Sequence, residues 1–156
     1  MAEPADATRP TIDDVFAREY GPLCRLAVSL VDDPGRAEEL VQDCFARALP
    51  RWEQLDNPGG YLRRGVVNAA RSELRKRRIR RRTPNPPEGF AQLPERDRQL
   101  LDAVARLSPR RRIAVTLRVL EDRSEAETAE LMGCSLGTVK SLTSRGLDDL
   151  RKVVTR

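Results

Sequence analysis

Between Ser135 and Arg145, the residues Ser135, Thr138, Lys140, Ser141, Ser144 and Arg145 set hydroxyl and cationic groups at helical spacing. Hydroxyls bond base edges and phosphates, and ammonium and guanidinium groups neutralise phosphates or grip guanine edges, so the chemistry on offer is recognition of duplex DNA. A second concentration is the run Arg75-Lys76-Arg77-Arg78-Ile79-Arg80-Arg81-Arg82. Its self-repulsion weakens an isolated helix unless a polyanion is near. Histidine is absent, which removes imidazole acid-base, nucleophilic and metal chemistry. The carboxylates show no recognisable pairing, so no catalytic residue is expected and the chain is not expected to be an enzyme. Cys24, Cys44 and Cys134 are odd in number, lack paired metal-ligand spacing and fall in or beside apolar helical patterns. They are expected to be reduced packing residues, with no metal and no cofactor implied.

Two helices joined by a tight turn would hold the DNA-binding groups in a groove. Ser124 with Glu127 three residues on forms a capping box, in which hydroxyl and carboxylate each satisfy an orphan amide at a helix start. Gly133 supplies the unusual backbone that ends this helix, and Ser135 is a suitable N-cap for the next. The buried side of that last helix is predicted to carry Leu136, Val139, Leu142, Leu147 and Leu150. This is the layout of a helix-turn-helix. An ordinary helical hairpin, with serines as caps only and Lys140 and Arg145 on a solvated face, fits the same spacing. Gly146 costs about 1 kcal/mol against alanine inside a helix, which predicts close packing or a local bend there.

Apolar residues recur at three- and four-residue steps along most of the chain, strand-like alternation is scarce, and the predicted fold class is all-α. Thr11 caps a first helix whose buried side holds Ile12, Val15, Phe16, Leu23, Leu26, Ala27 and Leu30, with a kink or break open at Gly21-Pro22. Asp32-Asp33-Pro34 opens a second helix, buried through Ala37, Leu40, Val41, Cys44, Phe45, Ala48 and Leu49. Its other face shows Glu38, Glu39, Gln42, Asp43 and Arg47, either plain solvation or an acidic docking surface. Trp52 and Tyr61 bracket the loop before a third helix, as core plugs or as base-stacking rings. Further on, Leu100, Leu101, Val104 and Leu107 mark one helix, and Ser108-Pro109 opens another containing Ile113, Ala114, Leu117 and Leu120.

At 156 residues the chain fits two small helical domains. Residues 1–10 are expected to be disordered, 11–82 to form the first domain, 83–94 a Pro-rich linker, and 95–156 the second domain with the helix-turn-helix. Thr83-Pro84-Asn85-Pro86-Pro87 cannot continue a helix. Twelve linker residues at about 3.1 Å each span roughly 37 Å, so the halves need not pack together. The net charge of +5 is unevenly spread. Residues 11–60 hold 5 Lys or Arg against 10 Asp or Glu, residues 61–82 hold 10 against 1, and residues 135–156 hold 5 against 2. Two separate basic blocks favour two contacts with a polyanion. No run approaches the roughly 18 apolar residues of a membrane span and no export signal is visible, so a cytoplasmic location is expected.

The order of these parts resembles a bacterial RNA polymerase sigma factor of the extracytoplasmic-function class. Asp33 through Phe45 is similar to that family's polymerase-binding helix, Tyr61 through Ser72 to its promoter-melting segment, and Leu107 through Arg112 with Ser124 through Arg145 to its C-terminal domain. The resemblance implies a sigma region 2-like first domain and a region 4-like second one, which together direct recognition of the −10 and −35 elements, strand opening and initiation. It implies docking of Glu39, Gln42, Asp43 and Arg47 on the clamp helices of the largest subunit of core polymerase, with the flap of the second-largest subunit and promoter DNA as further partners and an anti-sigma factor as a regulator of such proteins. It assigns Trp52, Asn57, Tyr61, Asn68, Arg71, Arg75 and Arg78 to the −10 element and its melting, where an extruded base is captured. Ser135, Thr138, Lys140, Ser141, Ser144 and Arg145 are assigned to the −35 element. Leu142 and Gly146 depart from the residues common in that family, arginine and alanine. A free-standing helix-turn-helix repressor or activator is the alternative, disfavoured by a basic run remote from the helix-turn-helix; an adaptor for acidic partners is a more distant one.

Overall fold

The protein is described here by a computed structural model, which covers residues 9–80 and 90–155. Every regular element among these residues is helical: α1 (Ile12–Val31), α2 (Pro34–Ala48), α3 (Pro58–Arg80), α4 (Glu95–Arg106), α5 (Pro109–Val115), α6 (Glu125–Met132) and α7 (Leu136–Val154), with short 3-10 segments at Leu49–Gln54 and Phe90–Gln92. The predicted all-α class holds. Residues 83–89 of the predicted linker lie outside the described residues, as do residues 1–8, 81–82 and 156.

Helix starts follow local chemistry. Thr11 and Asp14 form a reciprocal capping box at α1, Asp33 accepts from the Arg36 amide ahead of Pro34, and the Asn57 side chain accepts from the Gly60 amide at the start of α3. Pro22 does not break α1, which runs on past it as one helix. Phe16 is 46% exposed instead of buried. Its ring stacks on Tyr20 at 4.6 Å and meets Phe45 edge-on at 5.1 Å, on a flank of α1 that α2 covers from one side only. Leu49 is likewise outside, where α2 has already given way to the 3-10 segment.

In the second group, α5 continues into a π-helical turn over Thr116–Leu120, closed by the Glu121 amide on the Thr116 carbonyl. The extra residue per turn rotates the apolar series, so Leu117 is fully buried while Leu120 is 68% exposed, against the expectation that both face inward. Leu100 is also 41% exposed. Gly146 is where the predicted close packing occurs: a Cβ there would lie 2.6 Å from Val115 Cγ2 on α5. Gly146→Ala is therefore expected to lose about 1 kcal/mol net, the overpacking cost less the helix-propensity gain, and to melt a few degrees lower. In a double-mutant cycle with Val115→Ala, the Gly146→Ala loss should shrink toward zero, so that the double variant loses less than the sum of the two single losses.

The two groups do pack together. Ile113, Leu117 and Leu131 belong to the same buried cluster as Leu23, Leu30, Val66 and Leu74, with Met132 against it. Polar contacts flank this seam: Arg112 to Asp32 at 2.7 Å, Ser29 to Glu121 at 2.9 Å, and Arg64 to Glu130 at 3.4 Å. A smaller cluster of Ala103, Leu107, Val115 and Leu150 holds α4, α5 and α7 to each other.

Candidate nucleic-acid and partner-binding surfaces

The turn between α6 and α7 is built as its sequence dictates. Ser124 and Glu127 cap α6 reciprocally, which also holds the Glu127 carboxyl below the usual carboxylate range through the Ser124 amide. Gly133 ends α6 at φ 63°, a left-handed conformation that favours glycine. Ser135 then caps α7, accepting from the Thr138 amide at 3.1 Å.

On α7, Val139, Gly146 and Leu150 are buried, and Ser135, Lys140, Ser141, Ser144 and Arg145 are exposed on the outer side. Thr138 is half-buried, its hydroxyl 2.9 Å from that of Ser135, so these two of the six predicted groups are engaged in the cap. Leu136, predicted inside, is 49% exposed because the cover from neighbouring helices begins only at Val139. Lys140 lies 3.7 Å from Glu125 on α6, an exposed pair worth little in water. It also lines a shallow cleft of about 270 Å³ with Arg118, Ser144 and Arg151. Arg118 and Arg151 are cations that the sequence reading passed over. Arg151 sits seven residues after Ser144 and was legible by helix arithmetic, whereas Arg118 is aimed only by the π-turn and its bond to the Arg123 carbonyl.

On the first group, Glu39, Gln42, Asp43 and Arg47 are all exposed along one face of α2. Gln42 donates to the Tyr20 hydroxyl at 3.3 Å, which couples that face to α1. Arg36 is pinned between Glu39 at 2.7 Å and Glu73 at 3.1 Å, and these carboxylates, Glu39 foremost, raise its pKa. A groove of about 450 Å³ between α2 and α3 brings Asp43 and Arg47 beside Tyr61, Asn68, Arg64 and Lys76. Residues assigned separately to docking and to melting thus share one surface.

The basic run on α3 is not uniform. Arg71, Arg75, Lys76 and Arg78 point to solvent, but Arg77 turns inward, donating to the Val31 carbonyl and pairing with Glu73 at 3.3 Å. Arg81 and Arg82 lie outside the described residues. Trp52 is buried, with its indole N–H donating to the Pro10 carbonyl at 3.4 Å. It packs the core beneath the loop and presents no ring face for base stacking. Asn57 is exposed and spends its side-chain oxygen on the α3 cap.

All three cysteines are free thiols. Burial pushes the Cys24 and Cys44 thiols up from their ordinary pKa, which disfavours the reactive thiolate. Among the described residues no cluster of three or more metal-ligating side chains occurs, and no helix is long and apolar enough to cross a membrane.

Comparison with known proteins separates along the same line as the two helical groups. Residues 15–80 match the family model described as Sigma-70 region 2, and residues 97–150 match that described as Sigma-70, region 4. The chain is 38% identical over 138 residues to the RNA polymerase sigma-E factor of Streptomyces coelicolor, covering 83% of this chain and 78% of that protein. It is 30% identical over 160 residues to the RNA polymerase sigma factor CarQ of Myxococcus xanthus, covering 96% and 92% respectively. The fold is similar to that of the sigma factor RpoE of Bartonella quintana, solved in complex with the anti-sigma factor NepR, with a TM-score of 0.68 at 24% identity over 92% of this chain and 96% of that one.

Proposed function

The chain belongs to the sigma-70 family, as an RNA polymerase sigma factor of the extracytoplasmic-function class that acts in promoter recognition, and from that premise we propose how its surfaces divide the work. The α2 face with Glu39, Gln42, Asp43 and Arg47 docks on the clamp helices of core polymerase. Across the adjoining groove, Tyr61, Asn68, Arg71, Arg75 and Arg78 of α3 meet the −10 element, the cations holding phosphates as the strands part. Lys140, Ser141, Ser144 and Arg145 on α7 read the −35 element, with Arg118 and Arg151 on flanking phosphates, and the second group also meets the flap of the second-largest subunit. The protein is a non-catalytic, cytoplasmic factor, and control by an anti-sigma factor is part of this reading because a sigma factor of similar fold is solved in complex with one.

The observation that supports the assignment is the shared groove, where Asp43 and Arg47 of the α2 face adjoin Tyr61 and Asn68 of α3, with Arg71, Arg75 and Arg78 exposed on the same helix outside the groove. The reading also requires motion. Elements named −10 and −35 are about 25 base pairs apart, or roughly 85 Å of duplex at 3.4 Å per pair. A packed chain of this length is about 40 Å across, so the two helical groups must separate to reach both elements.

Transcription in vitro with purified core polymerase and a pool of genomic promoter fragments tests the proposal. Discrete start sites that depend on the protein are expected; their absence with a folded protein and cognate core enzyme would count against it. Within such a holoenzyme, Lys140→Ala is expected to weaken promoter binding about three- to tenfold and to lower the slope of log affinity against log salt by about 0.9, as for one phosphate contact. A loss confined to one base position would instead make Lys140 a base-reading residue.

A further inference from the structure

The first turn of α7 carries an apolar side chain that the described residues leave half open to solvent. Leu136 is 49% exposed and belongs to neither buried cluster. The next residue, Gly137, is exposed as well, and a Cβ there would meet only the Ser135 hydroxyl, at 3.9 Å, an ordinary contact. Glycine is among the poorest helix formers, and no neighbouring atom in the fold requires it at this position. What it provides is a bare backbone against which another molecule can seat closely. The polar groups of the same turn are already engaged, since Ser135 caps the Thr138 amide and the two hydroxyls lie within bonding distance of each other.

The turn that leads a recognition helix into the major groove therefore presents an isobutyl group and a bare backbone. Among the groups that base pairs display in that groove, the apolar one is the C5-methyl of thymine. We propose that Leu136 packs on a thymine methyl in the distal promoter element, and that Gly137 lets the helix start approach closely enough for it to do so. This rests on the reading of α7 as the helix that enters the promoter. Lys140, Ser141, Ser144 and Arg145, further along, supply the polar contacts, and the Leu136 tip supplies a preference for thymine that hydrogen bonding alone does not give.

The test uses the full chain in its holoenzyme with core polymerase. Duplexes selected by that holoenzyme from a pool randomised in the distal element define the element, and each thymine is then replaced singly by deoxyuridine, which pairs identically and lacks only the methyl. At one position at least, deoxyuridine is expected to weaken wild-type binding about fourfold, the worth of one buried methyl group. Leu136→Ala should bind the thymine and deoxyuridine probes equally there, while Leu136→Ile, which keeps the apolar volume, should retain a preference for thymine. Gly137→Ala should melt no lower than wild type and yet bind both probes more weakly. The proposal is overturned if wild type shows no preference for thymine over deoxyuridine at any position, if the preference survives Leu136→Ala, or if Gly137→Ala binds as wild type does. Each of those results leaves promoter recognition itself standing. A holoenzyme that selects no distal element at all removes the parent reading, and this one with it.

Discussion

Asp43→Arg is expected to weaken association with core polymerase by about 100-fold or more, because a reversed charge at the centre of a docking face sets like against like, at a cost of several kcal/mol. Asp43 is exposed on α2 between Glu39 and Arg47, one helical turn to either side, and all three share a face. The fold should tolerate the change. Among the described residues Asp43 makes no ion pair within 4 Å, and the favourable spacing with Arg47 is worth only a few tenths of a kcal/mol. The melting temperature of the variant should therefore stay within a few degrees of wild type. Titration of labelled protein with core polymerase measures the affinity, and Lys140→Ala, on the other helical group, should bind core as wild type does. Binding of Asp43→Arg within threefold of wild type would show that the α2 face is not where polymerase docks.

The parts of this fold that were legible in the sequence are those decided within a few residues. Thr11 with Asp14 and Ser124 with Glu127 bond their own backbone three residues away, and Gly133 takes its left-handed conformation whatever lies beyond it. Exposure along a helix is different, because it depends on where a neighbouring helix begins and stops. Phe16, Leu49 and Leu136 satisfy the apolar periodicity and still stand about half exposed, since cover is incomplete beside α1 and at the ends of α2 and α7. Leu120 fails for another reason: a π-turn changes the angular step, and periodicity at 3.6 residues per turn cannot anticipate it. The candidate surfaces divide in the same way. The outward faces of α2 and α7 follow from spacing, but the inward turn of Arg77, the burial of Trp52 and the aim of Arg118 each depend on a partner set by the fold: the Val31 carbonyl, the Pro10 carbonyl and the π-turn. The seam between the helical groups was beyond reach because its ion pair joins residues 80 apart.

That ion pair leads to the second large effect. Asp32→Asn is expected to destabilise the folded chain by about 3 kcal/mol, since it removes the counter-charge of a buried guanidinium and leaves that charge behind. Arg112 is 3% exposed. Burial pulls its pKa below the ordinary arginine value, Arg77 adds to that pull, and Asp32 opposes it. Its Nε has no hydrogen-bond partner, so the bond to Asp32 carries much of the compensation. Asparagine is the informative replacement because Asp32 caps α1 at φ 52°, and asparagine tolerates that left-handed backbone while alanine would add strain. A loss of this size should lower the melting temperature by about 6–12 °C in a chain of this length. Adding Arg112→Met should bring stability back to within about 1 kcal/mol of wild type, because an apolar side chain needs no counter-charge. A single-variant loss under 1 kcal/mol would mean that the guanidinium reaches water when Asp32 is gone. The seam then becomes the object of measurement. In the proposed function promoter binding requires the groups to part, so the buried charge left by Asp32→Asn should favour the parted form, seen as a larger radius of gyration in solution scattering at temperatures where the helices are intact. Core polymerase should bind that form at least as tightly as wild type, because the closed packing that binding must undo has already been weakened. Weaker binding by a variant that is folded but open would place part of the docking surface on the seam itself.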